Sequence, residues 1–236
     1  LRDPFYKAIQ EYRLVAPGDR IAVCISGGKD SALLALLLRD YQRYSGIAFD
    51  MICLAMDPGY TPQNRRQIEQ NMAQLGLPLE VFETNVLRVA GRGHLYAQAQ
   101  RRGCNKIALG HHYDDAIETV LMGLIYGGQV QAMLPRLRSA NYDGMELIRP
   151  LYHVRERDVA GWVRESGLTF LPCACPAHTR GADTKRAEMK KLIAALAAEN
   201  PQIEANLLNA VKNVDTRKVL GWRDAAGRHS FLDRLD

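Results

Sequence analysis

Hydrophobic residues along the chain fall into short apolar runs separated by longer stretches of mixed character. The runs are RIAVCI at 20–25, DMICLAM at 50–56, LEVFE at 79–83 and KIALG at 106–110. Runs this short and this apolar are typical of strands buried on both faces of a parallel sheet, because helices are longer and half-exposed strands alternate. The pattern therefore predicts four strands, of which the first two are expected to be buried.

The stretches between the runs place apolar residues at helical spacing. We predict helices at 31–44, 61–75, 94–102, 114–126, 155–167, 184–199 and 202–214. Strands that alternate with helices of this length require right-handed crossovers, so they form a parallel sheet with helices on both faces. The expected fold class is α/β and Rossmann-like, and ligands in such sheets bind beyond the carboxyl ends of the strands.

Later in the chain the pattern changes. Residues 135–150 are consistent with a hairpin, because they contain the turn-forming residues Asn141, Asp143 and Gly144. We expect a main domain at 1–170 that includes an amino-terminal helix. A small cysteine-containing helical extension is expected at 171–236.

Composition narrows the class of protein. The chain has 236 residues, 47% of them hydrophobic, which is enough for one sizeable core. No stretch approaches the roughly 20 apolar residues that cross a bilayer, and Arg2, Asp3 and Lys7 interrupt the first ten positions. We expect a cytoplasmic protein with no membrane segment.

The net charge is mildly positive, since 31 Lys and Arg against 26 Asp and Glu give +5. Residues 88–106 contain five basic side chains and no acidic one, as a surface for a phosphate backbone would. A solvated helix face explains the same pattern equally well. The five residues are Arg88, Arg92, Arg101, Arg102 and Lys106.

The sequence SGGKDS at 26–31 lies between a predicted strand and a predicted helix, the context in which a glycine-rich loop binds phosphate. Glycines let the backbone approach an anion closely, and the first N–H groups of the helix point at it. The two hydroxyls and the lysine add donors, whereas the aspartate either binds Mg2+ or caps the helix. The predicted ligands are Ser26, Gly27, Gly28, Lys29, Asp30 and Ser31.

A second polar cluster, GHHYDDAIET at 110–119, follows the fourth predicted strand. Two histidines and two carboxylates at this strand-to-helix junction are expected to face the same crevice as the glycine-rich loop. Asp114 and Asp115 are alternatively simple helix caps, and the histidines are alternatively satisfied polar residues.

Both motifs resemble those of a known family. SGGKDS is similar to the PP-loop signature of the ATP pyrophosphatase superfamily, whose members cleave ATP between the α and β phosphates and transfer AMP to a carbonyl oxygen. GHHYDDAIET closely resembles the GHHxDDxxET segment of the tRNA 2-thiocytidine synthetase family. The resemblance extends over about 19–175. It implies a PP-loop, adenine nucleotide alpha hydrolase-like fold with ATP and Mg2+ as cofactors.

The resemblance also implies a reaction. ATP is expected to convert the C2 oxygen of a pyrimidine, here cytidine, into an adenylate, after which sulfur from an iron–sulfur cluster or a persulfide replaces that oxygen and AMP departs. The nucleotide contacts expected outside the loop are Met56, Gly110 and His111. The expected catalytic residues are Lys29, Asp30, Asp114 and Asp115.

Five cysteines in a chain expected to be cytoplasmic predict reduced thiols. Cys24, Cys53 and Cys104 are expected to be small buried side chains. In the resembled family three cysteines hold a [4Fe-4S] cluster, two from a central CxxC and one near the carboxyl end. The sequence PCAC at 172–175 matches the last element, so Cys173 is the implied ligand and Cys175 the competing choice.

The central CxxC is missing from its expected place. Residues 86–96 read VLRVAGRGHLY and contain no cysteine. Either the protein lacks the pair, or the printed sequence omits a segment between about Ala90 and Gly91. We expect an omission, because both flanks match the family and two thiolates alone cannot enclose a four-iron cluster.

The expected partners are tRNA and a sulfur donor, either a cysteine desulfurase or sulfide, and the family resemblance alone implies a homodimer. Basic residues are expected around the opening that admits an RNA base. They are Arg92, Arg101, Arg102, Lys185, Arg186, Lys190 and Lys191. Two other functions stay open: an amide-forming ligase similar to lysidine synthetase, which Cys173 and Cys175 disfavour, and a non-catalytic nucleotide or metal sensor, which the missing CxxC favours.

Overall fold

A computed structural model describes residues 1–84, 91–171 and 182–235. The helices are α1 (Arg2–Glu11), α2 (Lys29–Tyr44), α3 (Pro62–Gln74), α4 (Gly91–Arg101), α5 (Tyr113–Gly127), α6 (Glu156–Ser166), α7 (Ala182–Glu199) and α8 (Ile203–Lys212). The strands are β1 (Arg20–Ile25), β2 (Asp50–Asp57), β3 (Leu79–Glu83), β4 (Lys106–Ala108), β5 (Arg136–Arg138), β6 (Glu146–Ile148), β7 (Gly221–Asp224) and β8 (Gly227–Ser230).

Six strands form one sheet in the order β3-β2-β1-β4-β6-β5. Neighbours are parallel except β5, which runs antiparallel to β6. The chain order reverses between β1 and β4, so a crevice opens at the carboxyl ends of these two strands. The predicted parallel sheet is confirmed, and β5 and β6 form the hairpin predicted within 135–150.

Helices cover both faces of the sheet because its central strands are apolar on both sides. On β1, Ile21 and Val23 face a core built with α1, α2, α3 and α6, whereas Ala22 and Cys24 face a core built with α4. Across the part of the chain that the structure describes, no helix is both long and apolar enough to span a membrane.

Two element ends near the crevice differ from the predicted bounds. Helix α2 begins at Lys29, two residues earlier than predicted, because the lysine and aspartate of SGGKDS already have helical geometry. Strand β4 ends at Ala108, because β6 pairs only with Lys106 to Ala108. Gly110 therefore belongs to a connection that leads directly into the crevice.

The carboxyl-terminal helices pack on the main domain. Met189 and Ile193 of α7 and Leu208 of α8 share a core with Ile117 and Leu121 of α5. Beyond α8, strands β7 and β8 form a two-stranded hairpin that the sequence analysis did not predict. Each strand has only four residues and lacks an apolar run, so the hydrophobic pattern carried no signal for it.

Candidate functional site

The glycine-rich loop joins β1 to α2 in a shape that only glycine permits. Gly27 has a φ of +81°, and a Cβ at this position would lie 2.8 Å from Cδ1 of Ile68. Gly28 is the N-cap of α2, and among the described residues no side chain caps this helix. The first N–H groups of α2 therefore remain directed at the crevice, as an anion site requires.

The two serines hold the loop together. The Ser26 N–H donates to the Ser31 hydroxyl over 3.1 Å, and the Ser31 hydroxyl donates to the Gly28 carbonyl over 3.0 Å. Ser31 is buried, whereas Ser26 is exposed. These bonds give Ser31 a structural role inside the loop, and the contact of either serine with phosphate stays a prediction.

Gly110 brings the second motif against the loop. A Cβ on Gly110 would lie 2.9 Å from the backbone nitrogen of Ser31 and 3.0 Å from the carbonyl carbon of Asp30. Real Cβ atoms do not approach backbone this closely, so the absence of a side chain allows the contact. The structure thus joins SGGKDS and GHHYDDAIET at the crevice between β1 and β4.

Opposite charges adjoin at the first turn of α2. The Lys29 ammonium donates to both carboxylate oxygens of Asp30 at 3.0 Å. Both side chains are about 30% exposed, so the pair stays accessible to a ligand. The Asp30 Oδ1 lies 3.9 Å from the His112 Nε2, which brings the loop carboxylate close to the second motif.

The two histidines have different surroundings. His112 is buried and is the N-cap of α5: its Nδ1 accepts from the Asp115 N–H over 3.4 Å, which leaves Nε2 as the protonated nitrogen facing Asp30 when the ring is neutral. His111 has a buried Nδ1 with no hydrogen-bond partner among the described residues. Burial lowers the pKa of His111 to about 4, despite the opposing Asp115 carboxylate, so this ring is neutral at pH 7.

Asp114 links three helices at the edge of the crevice. Its Oδ2 accepts from the Glu156 N–H at the start of α6 over 2.7 Å, and its Oδ1 accepts from Arg155 over 3.2 Å. Arg155 also donates to both oxygens of Glu204 on α8. Burial raises the pKa of Asp114, but the Glu156 N–H and the Arg155 guanidinium outweigh it, so the pKa is lowered.

Asp115 caps its own helix and reaches another. Its Oδ2 accepts from the His112 N–H over 2.9 Å, which completes a reciprocal capping box at the start of α5. Its Oδ1 accepts from Arg186 of α7 over 2.6 Å, and the same guanidinium nitrogen lies 3.3 Å from Glu118 Oε2. Burial raises the pKa of Glu118 to about 7; Arg186 opposes the rise and Asp115 reinforces it.

The end of β2 adds one predicted residue and one that sequence reasoning missed. Met56 is half-buried beside Phe82 and packs on the core under α4. Asp57 follows it, is buried, and accepts from the N–H groups of Gly59 and Tyr60 over 2.8 and 2.7 Å. An aspartate at the carboxyl end of a buried strand, followed by Pro-Gly, was the signal available for this turn.

The basic residues proposed for RNA divide into free and paired groups. Arg101, Lys185 and Lys191 are exposed, and the Lys185 ammonium lies 4.6 Å from the centre of the Tyr126 ring. Arg102, Arg186 and Lys190 are instead ion-paired with acidic side chains. Lys106 is buried, so it does not belong to a phosphate-binding surface. Arg88 and the Arg92 side chain lie outside the described residues.

Three cysteines lie in the core as expected. Cys24, Cys53 and Cys104 are free and buried. Burial raises the pKa of Cys24 and of Cys53 to about 12 and also raises the pKa of Cys104, so these thiols stay protonated at neutral pH. The predicted cluster ligands Cys173 and Cys175 lie outside the described residues, as does the expected position of the central CxxC.

The fold and the glycine-rich loop define a PP-loop protein, and the model of the PP-loop domain family matches residues 3–176. The tRNA-cytidine(32) 2-sulfurtransferase of Syntrophotalea carbinolica is 36% identical over 91% of this chain and 88% of its own. The enzyme of the same name from Anaeromyxobacter dehalogenans is 34% identical over 98% of this chain and 86% of its own. The chain therefore belongs to the tRNA-cytidine(32) 2-sulfurtransferase family, a family of transferases.

These alignments also contain positions that this chain does not fill. The Syntrophotalea alignment has 231 positions and uses 91% of the 236 residues, about 215, so about 16 positions have no residue of this chain. A solved structure of similar fold is the U34-tRNA thiolase NcsA from Methanococcus maripaludis with its [4Fe-4S] cluster, at a TM-score of 0.69 and 16% identity. That match covers 90% of this chain and 79% of the thiolase.

Proposed function

We propose that this protein is an ATP-dependent tRNA sulfurtransferase that adenylates the C2 oxygen of a cytidine and replaces it with sulfur. The names of the relatives support the substrate and the sulfur chemistry. The observation that carries the ATP-dependent step is the contact of Gly110 with the backbone of Asp30 and Ser31. That contact supports a shared site, because it joins the second motif to the glycine-rich loop.

The residues at the loop fit a polyphosphate. Gly27 allows the positive φ that turns the chain into α2, and Gly28 has only the Ser26 hydroxyl near the position of a Cβ. The uncapped amino end of α2 directs N–H groups and a partial positive charge at an anion placed there. Lys29 adds a full positive charge on the same turn. These groups hold the β and γ phosphates and stabilise the negative charge that grows on them as the bond to the α phosphate breaks.

The site also fits a Mg2+ ion that ATP brings with it. Within the described ranges, no three His, Cys, Asp or Glu side chains form a cluster that could hold a metal alone. Mg2+ commonly needs only one or two carboxylates in addition to phosphate oxygens. Asp30 would supply that carboxylate, since it is about 30% exposed and sits at the phosphate end of α2.

The proposed reaction has two steps. The C2 oxygen of the cytidine attacks the α phosphorus. The bond between the α and β phosphates breaks, and pyrophosphate leaves. A sulfur nucleophile from the donor then attacks C2, and AMP leaves with the former C2 oxygen. In this proposal the base enters beside the second motif, which contains the neutral ring of His111 and the carboxylates of Asp114 and Asp115.

A [4Fe-4S] cluster held by three thiolates of one chain does not fit these residues. Of the five cysteines, Cys24, Cys53 and Cys104 are protonated thiols in the core, which leaves only Cys173 and Cys175. Four-iron clusters need more thiolates than this pair provides. No step of the proposed reaction therefore passes through a cluster. Sulfide is sufficient as the donor, whereas a persulfide donor also needs a thiol that reduces the disulfide it leaves on C2.

The proposal includes partners and a location. tRNA is the substrate, and a cysteine desulfurase or free sulfide is the sulfur donor. A homodimer, a cytoplasmic location and the division at residue 170 stay predictions.

The test uses the purified chain with tRNA, ATP, Mg2+ and sulfide. We expect tRNA-dependent release of AMP and pyrophosphate, and 2-thiocytidine in digested tRNA by mass spectrometry. Lys29→Met should lower this rate about 100-fold or more, because it removes a charge from the transition state. Arg43→Gln, an exposed basic position at the other end of α2, is the matched control and should keep the rate.

Other outcomes identify the rival functions. AMP release with nitrogen rather than sulfur in the product would make the protein an amide-forming ligase. ATP binding with no AMP release under any donor would favour a nucleotide sensor. Either result contradicts the sulfurtransferase proposal.

A further inference from the structure

Arg186 is a basic residue of α7 that reaches the second motif from a distant part of the chain. Its guanidinium lies 2.6 Å from Oδ1 of Asp115 and 3.3 Å from Oε2 of Glu118, both on α5. The Glu118 side chain is 6% exposed and that of Asp115 is 19% exposed, so these contacts are largely shielded from solvent. Shielded pairs of this kind fix side-chain orientation more firmly than exposed pairs do.

The two oxygens of Asp115 have separate partners. Oδ2 accepts from the His112 N–H and completes the helix cap, which needs only that oxygen. Oδ1 is held by Arg186, 71 residues further along the chain. The orientation of the carboxylate about the Cβ–Cγ bond is therefore fixed by Arg186 of α7 as well as by the helix cap.

Helix α7 does not need Arg186 in order to pack. Its Met189 and Ile193 are buried against Ile117 and Leu121 of α5. Two residues after Arg186 on the same helix, Glu188 accepts from the Tyr126 hydroxyl near the carboxyl end of α5 over 2.5 Å. The helix pair is thus held by apolar burial and a second polar contact, and the Arg186 contact is directed at the start of α5.

We propose that Arg186 is a positioning residue that fixes the Asp115 carboxylate at the nucleotide site from the helix that follows Cys173 and Cys175. The inference rests on the sulfurtransferase function proposed above. It excludes Arg186 as an RNA contact, because its guanidinium is already paired with the Asp115 carboxylate and lies beside Glu118. Any motion of α7 along α5 would then reorient Asp115 directly.

The test compares Arg186→Met with Arg186→Lys and with Glu188→Ala, which loosens the same helix pair without touching Asp115. We expect Arg186→Met to lower kcat for tRNA thiolation about 10- to 100-fold, the effect of a misplaced group, with KM for ATP and tRNA within about twofold. Arg186→Lys should recover part of kcat, since it restores a cation. Glu188→Ala should keep kcat within about twofold.

A second comparison separates positioning from general stability. A residue that acts through Asp115 has nothing left to position in an Asp115→Ala background. Arg186→Met should therefore lower kcat in the wild-type background but cause no further loss when added to Asp115→Ala. Circular dichroism melting of all variants shows which of them fold.

Three results overturn the inference. They are equal kcat for Arg186→Met and Glu188→Ala, fully multiplied losses in the double variant, and a raised KM for tRNA with unchanged kcat, which would make Arg186 an RNA contact. A wild-type chain that makes neither AMP nor thiolated tRNA contradicts the proposed function itself, and is recognised before any variant is compared.

Discussion

Charged side chains have opposite surroundings at the two ends of the parallel strands, which are called here the amino edge and the carboxyl edge of the sheet. At the amino edge, the Lys106 ammonium is buried and donates to Asp19 over 2.6 Å and to the Leu14 carbonyl over 3.0 Å. Asn105 donates to the same aspartate over 2.8 Å. At the carboxyl edge, the glycine-rich loop leaves the amino end of α2 without a side-chain cap, and Lys29 and Asp30 stay accessible.

This difference separates a structural edge from a binding edge. At the amino edge each of the named charges has its partner inside the chain, so no external ligand is needed. At the loop, no described side chain caps the backbone donors at the start of α2, and the Lys29–Asp30 pair is accessible to an external ligand. The second motif lies between these cases, because His112 approaches Asp30 of the loop whereas Asp114 and Asp115 are held by Arg155 and Arg186.

The largest effect is expected at the amino edge. Lys106→Met leaves the Asp19 carboxylate buried without its cation, and breaking a buried pair in this way costs about 3–5 kcal/mol of unfolding free energy. Urea unfolding measures the loss. Lys7→Met, at an exposed position, is the control and should change the free energy by less than about 0.5 kcal/mol. Equal losses of unfolding free energy in both variants would mean that the buried Lys106–Asp19 pair does not stabilise the amino edge.

The next effect concerns pH at the second motif. The pKa of Glu118 is about 7 in the folded protein, against an ordinary value of 4.5. The folded state therefore holds this proton more tightly, so the stability it contributes is complete below about pH 4.5 and is lost as the pH rises through 7. Glutamine mimics the protonated form at every pH.

Glu118→Gln should accordingly gain stability relative to wild type as the pH rises. Between pH 4.5 and pH 8 the difference in unfolding free energy between variant and wild type should change by about 3 kcal/mol. Glu199→Gln, an exposed position on α7, is the control. A pH-independent difference for Glu118→Gln would show that Arg186 fully compensates the buried carboxylate.

The sequence predicted the elements that carry a strong hydrophobic period and the loop that carries a motif. The four predicted strands and the helices between them are found because β1, β2 and β4 are apolar runs in the middle of the sheet. Strand β3, at the edge of the sheet, is only partly buried. The glycine-rich loop and the second motif come together because they follow β1 and β4, which are neighbours in the sheet. Spacing along the chain was enough to predict both.

Long-range polar contacts were not predictable in the same way. Arg186 carries no local signal that it will meet Asp115 rather than RNA, because its helix is basic on several sides and packing decides which side is covered. Lys106 was included among surface cations, although its position at the start of an apolar strand pointed to burial. The hairpin of β7 and β8 has no apolar run to reveal it.

A smaller effect on stability is expected where the two motifs touch. Gly110→Ala places a Cβ 2.9 Å from the Ser31 nitrogen, so backbone must shift, at a cost of about 2 kcal/mol. That loss lowers the Tm by about 4–8 °C in a chain of this length. Gly28→Ala is the control for stability, because its nearest neighbour is the Ser26 hydroxyl at 3.5 Å. An unchanged Tm and unchanged AMP release in Gly110→Ala would contradict the close contact.

The smallest effect is expected at Asp57, a carboxylate at the carboxyl edge that has its partners within the chain, as the charges of the amino edge do. Asp57→Asn keeps an oxygen for the Gly59 and Tyr60 N–H groups and loses only the charge that faces Arg65 at 3.4 Å. Because Arg65 is 38% exposed, that pair contributes less than about 1 kcal/mol, and the Tm should fall by no more than about 4 °C. Arg65→Gln should cause a similar fall. A much larger fall in Tm for Asp57→Asn than for Arg65→Gln would mean that the turn after β2 depends on the charge of Asp57. The carboxyl edge would then also contain a charge that is needed for stability.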